Sequence, residues 1–247
     1  MNRVRVHGAA LVAAALIMAM LGVMTGAWAG DPSGTATGTA ADVTAKETGA
    51  PTPAEVAADL GHTKIAVNYV WLLMAGFLVM FMQAGFAMLE TGFVRSKNAV
   101  HTMMMNLMIY ALGVIGFFFV GFGFMFGGAG PFASLAGGGG LAHELTITLF
   151  GKPFGLLGWS GFGLGGGAYD VAVFGMFLFQ VVFMDAMATI PTGAMAERWR
   201  FANFCLYGLC ASTIIYPIFG NWVWGGGWLS KLGATFGLGN GYCDFAG

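Results

Sequence analysis

Residues 179–200, FQVVFMDAMATIPTGAMAERWR, run apolar for most of their length, hold one carboxylate at Asp185, and then switch abruptly to Glu197, Arg198 and Arg200. The apolar run begins near residue 171, so about 171–195 exceeds the roughly 20 residues that cross a hydrocarbon core. In lipid the backbone must satisfy its own polar groups, so the stretch is predicted to be a membrane helix. Phe179 and Phe183 are four residues apart and share one face of that helix. Asp185 lies two residues further on, about 200° around the axis, and points nearly the opposite way. A carboxylate at membrane depth is costly and normally pairs or faces a bundle interior. The residues favour a structural hydrogen bond from Asp185 to another helix over a place in a proton or ion path. Pro191 removes one backbone hydrogen bond and is predicted to bend the helix near its charged end.

Composition extends this reading to the whole chain. The 247 residues are 57% hydrophobic and only 9% charged, with 42 glycines. A soluble domain carries about 25% charged residues to meet water, so the class is an all-α integral membrane protein. Three further apolar stretches, about 65–89, 100–126 and 201–229, are also long enough to span. The net charge of −1 offers no basic footprint for nucleic acid. Cys205, Cys210 and Cys243 are an odd count, two of them inside apolar runs, and imply no disulfide framework. The four histidines are scattered, with no HExxH, so neither a metal nor a cofactor is expected. GFGLGG (161–166) formally fits GxGxxG, but no strand is expected before it, and GKP (151–153) lacks the Ser or Thr of a phosphate loop. Nucleotide binding is therefore set aside.

Residues 1–29 read as a signal peptide: Arg3 and Arg5, an apolar core over 8–24, and a small-x-small site at Ala27-Trp28-Ala29. An uncleaved first membrane helix is the alternative. Residues 30–63 read as an exported polar linker with a short helix over 53–60, and 64–247 as the membrane domain. The turn after the first span holds Arg95 and Lys97, and that after the third holds Arg198 and Arg200; the glycine-rich stretch 127–170 holds only Lys152. By the positive-inside rule the two short turns are cytoplasmic and the mature N-terminus is outside, as a cleaved signal peptide also requires. Glu90 closes the first span just before the VRSKN turn, and a salt bridge to Arg95 or Lys97 is the expected role.

The fourth stretch closes with NWVWGGGW (221–228), aromatics around a triple glycine at the outer boundary. An interfacial aromatic belt explains this blandly. An aromatic face in a narrow site is also a host for a small cation. Spacing alone leaves open whether Phe179, Phe183 and Trp224 pack structurally or line such a site.

FQVVFMDAMATIPTGAMAERWRF (179–201), with QAGFAMLETGFVRSKNAVHTMMMN (83–106) and NWVWGGGWLSKLG (221–233), resembles the ammonium transporter (Amt/Rh) family, and the final CDFAG (243–247) resembles the start of its fifth helix. The resemblance implies eleven membrane helices, ten of them in two inverted five-helix repeats, assembled as a homotrimer in the cell inner membrane. It implies a transporter and not an enzyme: ammonium is collected at an outer aromatic site and deprotonated, and ammonia crosses an apolar pore. Carried over by position, Phe179 walls the outer site, Phe183 is half of the gate below it, and Trp224 supplies the cation–π face. Asp244 would shape the recruitment site and support deprotonation. PII-type signal proteins would be partners on the cytoplasmic face. The family's paired pore histidines, second gate phenylalanine and outer-site serine would lie past Gly247, so the chain is expected to be an N-terminal portion of the transporter. An ammonium sensor of the same family and a non-functional fragment are the other readings.

Overall fold

The computed structural model describes residues 52–237. Residues 1–29, most of the expected linker, and Asp244 therefore lie outside the described residues. Among the described residues, four helices are long and apolar enough to cross a membrane: α1 (Pro53–Phe93), α2 (Ser96–Phe126), α3 (Val171–Met195) and α4 (Phe201–Val223). A short α5 (Leu232–Thr235) follows.

α1 begins well before the apolar run at 65, because the chain carries a complete start signal there. Thr52 Oγ1 accepts from the Glu55 N–H at 3.3 Å, Glu55 Oε2 accepts from the Thr52 N–H at 2.7 Å, and Pro53 takes the first turn. The last part of the expected linker is therefore helical. At 41 residues α1 is about 60 Å long, twice a hydrocarbon core, so part of it projects beyond the bilayer. It packs against α3 and α2 along one side and leaves Trp71, Leu78 and Phe81 exposed on the other.

α2 and α4 each contain one wide π-turn, Phe117–Gly121 and Ala211–Ile215, and the two meet. In α4 the cause is Pro217, which lacks the N–H that would continue the ladder. Ser212 and Thr213 hydroxyls donate back to the Leu209 carbonyl at 3.1 and 2.6 Å. α3 starts on Asp170, whose Oδ1 accepts from the Ala172 N–H at 2.9 Å. Its regular part ends at Thr189 and resumes at Thr192–Met195, the interruption falling at Ile190-Pro191 as the proline requires. α4 stops at Val223, short of the 229 expected, because the glycines after Trp224 unwind it.

The stretch 127–170 is not wholly irregular. It contains an antiparallel hairpin, β1 (Glu144–Leu149) and β2 (Lys152–Gly158), turned on Phe150-Gly151 with both φ positive. A strand thus does precede GFGLGG, contrary to expectation. It pairs only within this hairpin, and two short 3₁₀ turns follow it, not the helix of a nucleotide-binding unit.

Candidate functional site

Within the apolar core a ladder of aromatic rings runs toward the end of the bundle that carries the hairpin. Phe117 of α2 stacks on Phe177 of α3 with centroids 5.9 Å apart, and meets Tyr216 of α4 at 6.4 Å. Tyr216 in turn meets Trp224, just past the end of α4, at 6.2 Å. Trp224 therefore reaches α3 through Tyr216, Phe117 and Phe177. Phe177 and Tyr216 are not singled out by sequence, since what sets them apart is contact with aromatics of distant helices.

Phe179 and Phe183 do meet on one helix face as their spacing predicts, with ring centroids 4.9 Å apart and planes tilted by 58°. Both rings are half-buried. Phe179 rests against α1, where a Cβ built on Gly76 would stand 3.9 Å from its ring. Phe183 and Trp224 both pack on the same apolar core.

Asp185 is two positions past Phe183 in α3, and so lies on another face of the helix from that pair. It is 1% exposed, and among the described residues its Oδ1 has no hydrogen-bond partner. The helix-to-helix hydrogen bond expected of it is not present at that oxygen. Glu90 also departs from expectation. It is buried, accepts from Asn106 Nδ2 at 2.9 Å and from the Gly193 backbone, and makes no pair with Arg95 or Lys97. Around it runs a polar seam: Asn106 Nδ2 also donates to the Thr102 carbonyl, Gln83 Nε2 donates to the Asn106 carbonyl, and Thr189 Oγ1 donates to Gln83 Oε1. The reason is geometric: Glu90 lies inside α1 on the face that meets α2 and α3, whereas Arg95 is past the helix end in the turn.

Arg95 pairs with Glu197 across the two charged turns. Its guanidinium donates Nε to both carboxylate oxygens at 3.1 and 3.0 Å, and Nη2 lies 2.9 Å from Oε2. The Arg95 N–H and Asn98 Nδ2 each add a bond of 2.9 Å to Oε1. These donors, the Arg95 side chain foremost, hold the Glu197 carboxyl at about 2.

At the other end, the hairpin locks onto the segment that carries Trp224. Trp222 Nε1 donates to the Leu156 carbonyl at 3.0 Å, and the Trp228 N–H to Gly155 at 2.8 Å. Asn221 Nδ2 donates to the Met125 carbonyl at 3.1 Å and to Glu144 Oε2 at 3.2 Å. Burial pushes the Glu144 carboxyl up, with the Asn221 bond and the Lys231 charge opposing it. Among the described residues no group of three or more His, Cys, Asp or Glu side chains forms a metal site.

Among the described residues, four apolar helices with charged turns at one end of the bundle define a multi-pass membrane protein. A sequence model of the Ammonium Transporter Family matches residues 70–247, and the chain belongs to that family. It is 43% identical over 186 residues to an Archaeoglobus fulgidus protein named ammonium transporter Amt2, covering 74% of this chain and 35% of that one. It is 37% identical over 188 residues to ammonium transporter Amt1 of Haloferax mediterranei, covering 73% and 31%. To ammonium transporter 1 member 3 of Solanum lycopersicum it is 32% identical over 183 residues, covering 74% and 35%. The chain spans about a third of the length of these curated relatives.

Proposed function

We propose that the chain is the N-terminal portion of an ammonium transporter, and that it is not an enzyme. Ammonium is recruited outside the membrane on the faces of Phe179 and Trp224, with Phe183 forming part of the gate beneath and Asp244 supporting deprotonation. Ammonia then crosses an apolar pore completed by the rest of the transporter. The observation that carries this reading is the Phe179–Phe183 pair on a membrane helix of a chain in this family. Ammonium and potassium are close in size, so selection must use ammonium's hydrogen bonds and its ability to shed a proton. A buried, unpaired charge is too costly for an apolar pore to admit. The relatives' names and the carried-over positions support the same view. We assign the protein to the cell inner membrane with Arg95, Lys97, Arg198 and Arg200 in the cytoplasm, as a homotrimer whose partners include a PII-type signal protein.

The test is methylammonium uptake by full-length transporter carrying Trp224→Leu. Losing a cation–π face worth about 1–2 kcal/mol raises the apparent KM about five- to thirtyfold. An unchanged KM at equal membrane abundance sinks the aromatic site.

A further inference from the structure

Glu144 stands in the outer hairpin, 77 positions from Asn221 in sequence, yet the two side chains are joined. The carboxylate fits a cradle built for it. A Cβ on Gly128 would collide with Glu144 Oε2, and one on Gly155 would stand 2.7 Å from Oε1. A side chain at Gly128 would also crowd Glu144 Cβ at 2.6 Å, so glycine there leaves the room that the carboxyl occupies between the end of α2 and β2. Asn221 is fully buried and carries the link onward. The same Nδ2 that donates to Glu144 also donates to the Met125 carbonyl of α2. Its Oδ1 faces the glycine turn, where a Cβ on Gly227 would stand 2.5 Å away. Three residues past Asn221, that turn opens with Trp224, whose N–H donates to the Gly220 carbonyl at 2.7 Å.

A helix end made of Trp-Gly-Gly-Gly has little intrinsic preference for one conformation, since each glycine widens the backbone states available. Something outside the segment must therefore choose the orientation of the indole. The Trp222 indole, the Trp228 N–H and Asn221 all bind the hairpin or the end of α2, and of these three only Asn221 has an ionisable partner, the Glu144 carboxyl. A carboxylate acceptor makes a stronger hydrogen bond than a neutral one. Burial pushes the Glu144 carboxyl up; the Asn221 bond and then the Lys231 charge oppose that and favour the ionised form.

We propose that Glu144 is a positioning residue for substrate selection: through Asn221 it holds the unwound end of α4 so that Trp224 presents its face to the cation. This rests on Trp224 being the cation-binding aromatic, and on nothing else in the transport reading. Glu144 itself touches no substrate.

A double-mutant cycle in full-length transporter, read as methylammonium KM and maximal rate per unit of protein in the membrane, tests it. Glu144→Ala raises KM about fivefold, with the maximal rate within about twofold, as expected from losing one charge-assisted bond that orients the site. Glu144→Gln keeps an acceptor and the packing, and raises KM about twofold. Neither change raises KM further in a Trp224→Leu background, because the residue they act through is gone. Equal rises in both backgrounds, or a fall in maximal rate with KM unchanged, overturn the proposal. If Glu144→Ala does not reach the membrane, the same comparison is made with Glu144→Gln. A Trp224→Leu change that leaves KM unaltered refutes the aromatic site instead, and is read separately.

Discussion

Gly121 marks how closely α2 and α4 approach. A Cβ there would run into the Ser212 carbonyl, stand 2.7 Å from the Phe117 ring and 3.1 Å from Pro217 Cγ. A backbone carbonyl cannot swing aside as a side-chain tip does, so Gly121→Ala should destabilise the fold by about 1–3 kcal/mol. Thermal unfolding in detergent checks this, and an unchanged midpoint would mean the two π-turns are looser than drawn. Asp185 gives a second prediction at this scale. It lies on another face of α3 from the Phe179–Phe183 pair, so Asp185→Asn should leave methylammonium KM within about twofold, the tolerance expected for a site it does not line. A large rise in KM in a well-folded Asp185→Asn protein places the carboxylate on the substrate path.

Two linkages hold the elements in register, one at each end of the bundle. At the charged end Glu197 adopts φ 63°, a left-handed conformation that a side chain with a Cβ takes only when neighbours impose it. Arg95 and Asn98 impose it by binding both carboxylate oxygens, which ties the α1–α2 turn to the α3–α4 turn. The carboxyl sits at about 2 in the fold against an ordinary 4.5. Its pKa is depressed, so its contribution to stability is present above about 4.5 and fades as pH falls toward about 2. The difference in thermal midpoint between parent and Glu197→Gln should therefore be constant at neutral pH and shrink below about pH 4.5. A difference that grows with acid would show that the clasp is not ionic. At the opposite end the hairpin does the same work with neutral donors, Trp222 and Asn221, around one half-buried carboxylate.

At the largest scale, the two short turns fall together at one end of the bundle. Arg95, Lys97, Arg198 and Arg200 lie at one end and the hairpin with Phe150 and Lys152 at the other, as four antiparallel crossings require. Under the proposed orientation, a membrane-impermeant thiol reagent added to intact cells labels Thr148→Cys and spares Lys97→Cys in a background lacking the native cysteines; both positions are exposed. The reverse pattern inverts the topology. α1 leaves Trp71 at 78% and Phe81 at 77% exposure, a face that lipid or another subunit must cover.

By itself the sequence determined the membrane class, the number of spans among the described residues, the break at Pro191 and the Phe179–Phe183 pair. Each follows from local rules: apolar length, the helical repeat and proline's missing donor. Only the tertiary structure decided where the polar groups go. Glu90 took Asn106 and not the basic turn, Arg95 took Glu197, and Glu144 took Asn221. Those partners are separated by 16, 102 and 77 positions, and no periodicity encodes them. The hairpin escaped notice for a related reason: its strands alternate apolar and polar residues for only a few positions in a glycine-rich stretch. Its docking onto the end of α4 rests on bonds from Trp222 and Trp228, far along the chain. The pair at Phe179 was legible because both its members lie on one helix turn. The rest of Trp224's surroundings, Tyr216 and Glu144 among them, exist only once separate helices and the hairpin have met.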